Sequence, residues 1–494
     1  MALRLISSSR SLRNASSSGF AALAIPALYF FATPFLLSRL GAEGFGVWTL
    51  LSNLFTIAGL ADFGIGPATT LYVARYRGTQ ESETLLRVIQ TAWGLYLVLV
   101  ILLAVALFFL GEPFLGWLGV PPRMLSALAP FLPIFVLGVA MQFLFSALDG
   151  VVRGFERYDL SSFLRVISGS ANVITYCSIV AFGGSLGGMI IGQTMVLTAI
   201  LLIGIWTVCR LLQRSVWLVP WIHAHSLREF LNLSLYGWLQ GLAGTLSTQA
   251  DRLLVSLFLG PAVLAYYAAC LQLAQLAHSI LAQTLAFTFP KFASLSANDP
   301  ARLALFNRGM FIATMLGTTA SLILFIWAPF ILEMWLRQDV PAEIATALRI
   351  LALSNALTST SILPSYLMFG MGHFRLAAFA ALASGLSIAL GGYLLIGWVG
   401  VIGAAVSRLA GLPIAIVSRV LVYQRAFGSR RWLLGIKQLL PALLGFLLAW
   451  LLLGSQTGMG NTLSFSSSLL ALAVGAITVF FLSRQLYGPL LTRS

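Results

Sequence analysis

The sequence predicts an all-α polytopic membrane protein with about 14 transmembrane helices: two pseudo-symmetric six-helix bundles followed by two C-terminal helices. Three observations carry this reading. The 494 residues are 59% hydrophobic and only 9% charged, too little charge for the surface of a soluble protein of this size. Apolar runs of about 20 residues, the length a helix needs to cross about 30 Å of hydrocarbon, recur from end to end. The first half of the chain also resembles the second at a nearly constant offset.

Residues 1–19 (MALRLISSSRSLRNASSSG) are basic and Ser-rich. The apolar run that follows is full length and lacks a small-residue cleavage site, so they read as a cytoplasmic tail and not as a signal peptide. The first lobe, residues 20–210, takes spans at 20–40, 44–66, 89–111, 124–148, 163–183 and 186–209. The second lobe, residues 229–425, takes spans at 236–259, 263–288, 308–330, 346–368, 376–396 and 399–418. Two additional spans, 433–453 and 464–483, fill residues 433–484. Of the 29 basic residues, 23 then fall on segments of one side, Arg419 among them, and four on the other; Arg252 and Arg408 lie within spans. This asymmetry is the positive-inside pattern and puts both termini in the cytoplasm. Topology therefore accounts for the net charge of +15, and the basic excess points to no nucleic-acid partner.

Cys177, Cys209 and Cys270 fall in or next to spans without metal spacing and read as packing residues. No loop exceeds about 30 residues, which leaves no room for an extramembrane catalytic domain. No GxxxxGK[ST] loop, metal cluster or nucleophile triad is present. The sequence thus predicts no enzyme and no cofactor beyond a coupling ion, H+ or Na+.

The internal repeat rests on five matches in order. LSRLGAEGFGVWTLLSNL (37–54) pairs with VSLFLGPAVLAYYAACLQL (255–273), and LYVARY (71–76) with PKFASL (290–295). EPFLGWL (112–118) pairs with APFILEMWL (328–336), VRGFERYDL (152–160) with MFGMGHFRL (368–376), and FGGSLGG (182–188) with WVGVIGA (398–404). A unit of six spans brings both copies in from the same side, as parallel repeats related by an axis along the membrane normal. Two such bundles facing each other leave a central cleft, and rocking one against the other gives alternating access.

The stretch LGAEGFGVWTLLSNLFTIAGLADFGIGPATTLYVARY resembles the first-loop and second-span signature of polysaccharide flippases. These belong to the multidrug/oligosaccharidyl-lipid/polysaccharide exporter superfamily. TQADRLLVSLFLGPAVLAYYAACLQL resembles their seventh and eighth spans, and AFTFPKFASL the loop that follows. The resemblance covers residues 20–425. It implies movement of a polyprenyl-diphosphate-linked oligosaccharide from the cytoplasmic to the outer leaflet of a bacterial inner membrane, for O-antigen or exopolysaccharide synthesis. The implied partners are the lipid-linked glycan, the bilayer, and a glycan polymerase or other assembly proteins. The two added spans depart from a twelve-helix pattern, although fourteen-helix members exist, including the lipid II flippases. The alternative is a cation-coupled drug antiporter of the multidrug and toxic compound extrusion type. The first span has no acid before Glu43, which weighs against it. A glycan polymerase or ligase would need outer loops longer than the roughly 12–16 positions available here.

Four charges, Asp62, Asp251, Arg252 and Arg408, cannot be placed at a membrane surface, and charges at that depth are rare and usually functional. Polar stripes at helical spacing accompany them. Gly241, Thr245, Thr248 and Arg252 share a face with Gln249 beside it; Gln272, Gln275, Ser279 and Gln283 share another. Arg165, Ser168, Asn172 and Thr175 line up in the fifth span, and Ser354, Thr358, Ser361 and Ser365 in the tenth. Such stripes face a neighbouring helix or a wet cavity. The hydroxyl stripe of the tenth span reads as helix–helix glue; Gln249, Gln272, Gln275, Gln283 and Asn172 read as walls of a sugar-facing cavity. Guanidinium binds phosphate oxygens in a bidentate fork, so the diphosphate implied by the resemblance suits Arg252 and Arg408. The competing reading pairs Arg252 with a carboxylate. Adjacent helical residues point about 100° apart, so Asp251 and Arg252 cannot both face one spot. Asp62, ahead of Gly64, Gly66 and Pro67, is either a turn cap or an ion-coupling group. Asp251 is the other candidate for ion coupling, unless an arginine holds it charged.

The topology has a direct check. In a cysteine-free background, single cysteines at positions 80 and 215 should resist an impermeant thiol reagent applied from outside. Strong labelling at either position overturns the assignment.

Overall fold

The computed structural model describes residues 2–77, 82–212, 219–296, 299–427, 432–457 and 465–491, and these form helices without strands. The labelling positions 80 and 215, the loop carrying Arg214 and the link 458–464 between the last two spans lie outside them, as do the side chains of residues 2–23 and 224–237. Nine helical segments among the described residues are long and apolar enough to cross a membrane. Each of the fourteen expected spans falls on helix.

The first two spans are one helix, α1 (Ala2–Ala58), broken at Gly41. Its first part begins at Ala2, so the backbone of the expected tail continues the helix of the first span. A 3₁₀ turn (Gly59–Asp62) leads into α2 (Ile65–Tyr76). The second span thus runs past its expected end at residue 66, and the Asp62–Gly64 break lies inside it. Helices α3 (Ser82–Trp117), α4 (Pro122–Leu128), α5 (Leu132–Gly154), α6 (Tyr158–Ala181) and α7 (Leu186–Leu212) complete the first six spans. The seventh is α8 (Ala224–Leu259); the eighth is α9 (Pro261–Leu285) continued by α10 (Thr288–Ser294). Helices α11 (Pro300–Ile326) and α12 (Ala328–Leu336) make the ninth. The tenth is split into α13 (Ala342–Ser359) and α14 (Ile362–Gly370). The eleventh is α15 (Phe374–Ser407), broken at Gly400, and a 3₁₀ turn (Arg408–Gly411) joins it to α16 (Leu412–Phe427). The short α17 (Trp432–Lys437) precedes α18 (Leu440–Thr457) and α19 (Phe465–Leu491).

Backbone geometry reproduces the repeat independently of side chains. Ten described residues have positive φ, and eight of them form pairs between the two copies. Gly41 (φ 71°) matches Gly260 (φ 83°), Gly119 (φ 86°) matches Arg337 (φ 55°), Glu156 (φ 58°) matches Gly372 (φ 76°), and Gly183 (φ 77°) matches Gly400 (φ 61°). All four pairs keep nearly the offset of the sequence matches. Left-handed backbone is costly for residues with a Cβ, so its recurrence marks the same turns in both copies. The two positive-φ residues without a counterpart, Phe63 and Gly64, follow Asp62.

The chain divides into two compact units, Met1–Thr245 with Gly260–Ala265, and Leu246–Leu259 with Tyr266–Ser494. In the first, small residues let helices approach closely, as membrane packing favours. Thr70 Oγ1 donates to Gly150 O across α2 and α5 at 3.1 Å, and Thr194 Oγ1 donates to Ile134 O across α7 and α5 at 3.1 Å. Trp48 meets Tyr176 edge-on at 4.7 Å between α1 and α6. In the second unit, the two helices outside the repeat join the core. Phe446 of α18 and Val479 of α19 pack with Leu322, Phe325 and Ala356. A Cβ on Gly475 would lie 3.3 Å from Gly445 O, so the α18 and α19 backbones nearly touch.

Gly41 combines φ 71° with ψ 169°, a conformation open essentially to glycine alone. Gly41→Ala should therefore cost about 1–3 kcal/mol and lower the thermal midpoint of the detergent-solubilised chain. Gly244→Ala, in a helix with nothing within 4 Å of the new Cβ, should leave the midpoint unchanged or raise it.

Candidate functional site

Each unit encloses a cavity at a helix break, and the two cavities are built from equivalent elements. That of the first unit, about 390 Å³, is lined by Phe55, Thr56, Gly59, Asp62, Gln142, Phe143, Ser146, Asn172, Gln193 and Leu197. That of the second, about 410 Å³, takes His278 and Ala282 from α9, Thr358 from α13, Ser361 from the break, and Ile362, Ser365 and Tyr366 from α14. Ala377, Ala381 and Ser384 of α15, with Ile414 and Ser418 of α16, complete it. The offset that relates Gly41 to Gly260 also carries Gln142, Phe143 and Ser146 onto Ser361, Ile362 and Ser365, and Gly59 onto His278.

The chemistry of the two cavities differs. In the first, the carboxylate of Asp62 accepts from Gly64 N at 2.7 Å and from Tyr96 Oη at 3.2 Å. It therefore caps the break and also faces the cavity, so the two readings of Asp62 describe one residue. A side chain at Gly66 would meet Tyr96 Oη and Asp62 Oδ2 at 3.2 and 3.3 Å, which explains why the chain has glycine there. Asn172, 8% exposed, faces the same cavity with Gln142 and Gln193.

Among the described residues no acid lines the second cavity. Behind it lies Arg419 of α16, 1% exposed, bonded to the lining residue Ser361. Its Nε and Nη2 donate to Ser361 Oγ at 3.1 and 2.5 Å, and Nη2 donates to Leu357 O at 3.0 Å. It thus satisfies a carbonyl at the break between α13 and α14. Arg419 has no carboxylate partner among the described residues, and its Nη1 is buried without an acceptor.

The third polar centre lies deep in the second unit. Asp251 is fully buried and accepts from Arg408 Nε and Tyr267 Oη, each at 2.7 Å, and from Arg252 N at 3.0 Å. The turn Arg408–Gly411 ends α15 and points Arg408 at α8. Tyr267 Oη also lies 3.2 Å from Ala404 O.

These contacts revise the sequence reading of several residues. Arg408 gives its Nε to Asp251, while its Nη2 is buried without an acceptor. Asp251 accepts from that guanidinium, the arginine pairing that the sequence reading sets against ion coupling there. Arg252 meets Asp251 through its backbone N–H, while its Nη1 donates to Gln249 Oε1 at 3.3 Å, and Gln249 is buried. Gln272, Gln275 and Gln283 are half-buried along α9 but do not line the second cavity. The hydroxyl stripe of the tenth span, expected to be helix glue, supplies that cavity with Thr358, Ser361 and Ser365. The set of buried charges also grows: Asp149, Arg302 and Arg419 join those expected, at 6%, 5% and 1% exposure. Asp149 pairs with Arg153 and accepts from Ser161 Oγ at 2.5 Å; Arg165 Nη2 donates to Ser161 Oγ at 3.1 Å. The sequence reading puts Arg419 at a cytoplasmic end because it stops the twelfth span at residue 418. The missed signal is the helical spacing of Val422, Tyr423 and Ala426, which follow Arg419 on one face and are buried with it.

Breaking a buried pair by removing one partner costs about 3–5 kcal/mol, whereas removing both leaves no orphaned charge. Asp251→Ala and Arg408→Met should each lower the thermal midpoint of the purified chain sharply. The double variant should lose much less than the sum of the two. Additive losses would mean that the pair is not coupled.

Residues 20–176 match the MatE family. A putative O-antigen transporter of Salmonella typhi is 32% identical over 110 residues, which are 22% of this chain and 25% of that protein; the match spans about a quarter of this relative's length. Among solved structures, an inward-facing multidrug resistance MATE family transporter of the MOP superfamily superposes with a TM-score of 0.68 at 15% identity, covering 84% of this chain and 99% of that one. Lipid II flippase MurJ in an inward closed conformation gives a TM-score of 0.68 at 13% identity, covering 99% of this chain and 100% of that one. The wider coverage takes in the helices beyond the repeat. Residues 20–176 thus match the MatE family, and the chain as a whole has the fold shared by the MATE family transporter and the lipid II flippase MurJ.

Proposed function

We propose that this chain is a flippase that moves a polyprenyl-diphosphate-linked oligosaccharide from the cytoplasmic to the outer leaflet of a bacterial inner membrane, by alternating access of its two lobes, for surface polysaccharide synthesis. The observation that carries this reading is the cavity of the second unit. Its polar wall is made of hydroxyls and the His278 imidazole, it has no carboxylate among the described residues, and the charge behind Ser361 is a guanidinium. Such a wall suits sugar hydroxyls and phosphate oxygens, whereas an organic cation calls for a carboxylate. The likeness of part of the chain to a putative O-antigen transporter and the fold shared with MurJ support the same reading.

One observation favours a coupled cycle: Asp62 faces the first cavity among amide and hydroxyl groups, with no ion-pair partner among the described residues. We assign it the coupling ion, H+ or Na+. Arg252, half-buried and oriented by Gln249, is the guanidinium we assign to the lipid diphosphate. The translocated glycan would pass to a polymerase or other assembly protein.

Deletion of the gene should trap the lipid-linked glycan on the cytoplasmic leaflet and remove the surface polysaccharide. Arg252→Ala should fail to restore export while staying in the membrane, and Arg252→Lys should restore it in part, since charge survives without the fork. Normal surface glycan together with new sensitivity to cationic dyes in the deletion strain would instead establish the drug antiporter.

A further inference from the structure

The hydroxyls of the second cavity do not all present the same face to a ligand. A hydroxyl has one hydrogen to donate and two lone pairs to accept with. Ser365 Oγ donates its hydrogen to Ser361 O at 2.8 Å, Ser418 Oγ to Ala415 O at 2.9 Å, and Thr358 Oγ1 to Ser354 O at 3.0 Å. Tyr366 Oη donates to Ala282 O at 2.8 Å. Each has its hydrogen engaged by backbone and offers the cavity only lone pairs.

Ser361 is the reverse case. Two N–H groups of Arg419, at 3.1 and 2.5 Å, occupy the lone pairs of its Oγ. The carbonyls one turn back are Thr358 O, which accepts from Ser361 N at 2.8 Å, and Leu357 O. That oxygen already accepts from Arg419 Nη2 at 3.0 Å and Thr360 Oγ1 at 2.6 Å. The Ser361 hydrogen is left to point into the cavity that the residue lines, on an oxygen polarised by a buried cation. Beside the His278 imidazole and the Ser384 hydroxyl, this stretch of wall therefore combines several neutral acceptors with one strong donor. A sugar ring complements this pattern, because its hydroxyls donate to the lone pairs while one of its oxygens accepts from Ser361.

We propose that Ser361, set as a donor by Arg419, binds an oxygen of a sugar of the translocated glycan and determines recognition of the glycan over the bare lipid. Arg419 touches no ligand and is a positioning residue. This rests on the flippase reading and adds the substrate end and the residue.

The test uses the full chain in nanodiscs and two probes: undecaprenyl diphosphate carrying one N-acetylglucosamine, and undecaprenyl diphosphate with no sugar. Ser361→Ala should weaken binding of the sugar-bearing lipid about tenfold, the scale of one hydrogen bond to a charge-polarised group, and change the bare lipid less than about twofold. Ser361→Thr, which keeps the hydroxyl, should restore binding. If Ser361→Ala alone lowers the yield, Ser361→Ala with Arg419→Met removes the orphaned guanidinium as well and should show the same selective loss. Equal losses on both lipids, no loss on either, or a wild-type chain indifferent to the sugar overturns the assignment. Movement of either lipid across proteoliposome membranes by the wild type, measured in parallel, would leave the flippase reading standing in those cases; absence of movement would remove both.

Discussion

A helix broken at membrane depth frees backbone groups that lipid cannot satisfy, so each break needs a partner supplied by the protein. Much of this structure follows from that requirement. The break after Gly59–Asp62 leaves Gly64 N, which the Asp62 carboxylate takes. The break between α13 and α14 leaves Leu357 O, which Arg419 and Thr360 take. The turn that ends α15 is pinned by Arg408 on Asp251. Asp62 and Arg419 therefore serve first as substitutes for helical hydrogen bonds. The cavities form beside them because an interrupted helix no longer fills its place with side chains.

Duplication supplied the scaffold and divergence supplied the chemistry. The left-handed turns recur from one copy to the next at a nearly fixed offset, and the cavity walls recur with them. The groups that mend the breaks do not recur. One unit uses an acid backed by Tyr96; the other uses a guanidinium backed by hydroxyls. Two cavities of like size and opposite electrostatic character are what a transporter needs if one lobe handles a cation and the other a polar, uncharged cargo.

Spans, repeat and the break after Asp62 are legible in the sequence because hydropathy period and glycine position report backbone directly; the break between α13 and α14 carries no glycine to mark it. Asp62 is readable as a turn residue from Gly64 and Pro67. The partner of Asp251 is not, because Arg408 lies far along the chain and only the fold brings them together. Nor can the stripe Thr358, Ser361 and Ser365 declare itself as cavity wall, since hydroxyls at helical spacing serve packing and hydration equally. Arg419 is misplaced for a related reason: a span boundary drawn by hydropathy ends where a charge begins, which hides a charge that the fold buries. The glutamines of α9 show the converse, since their amide chemistry draws attention to a face that the second cavity does not use.

The pairing of Asp251 with Arg408 has an electrical consequence. A charge moving through the full membrane field exchanges about 2.3 kcal/mol per 100 mV, but a carboxylate and a guanidinium that travel together carry no net charge and feel almost none of it. That pair is therefore silent to the membrane potential. A charge without such a partner does feel the field, and Asp62 and Arg419 have no ion-pair partner among the described residues.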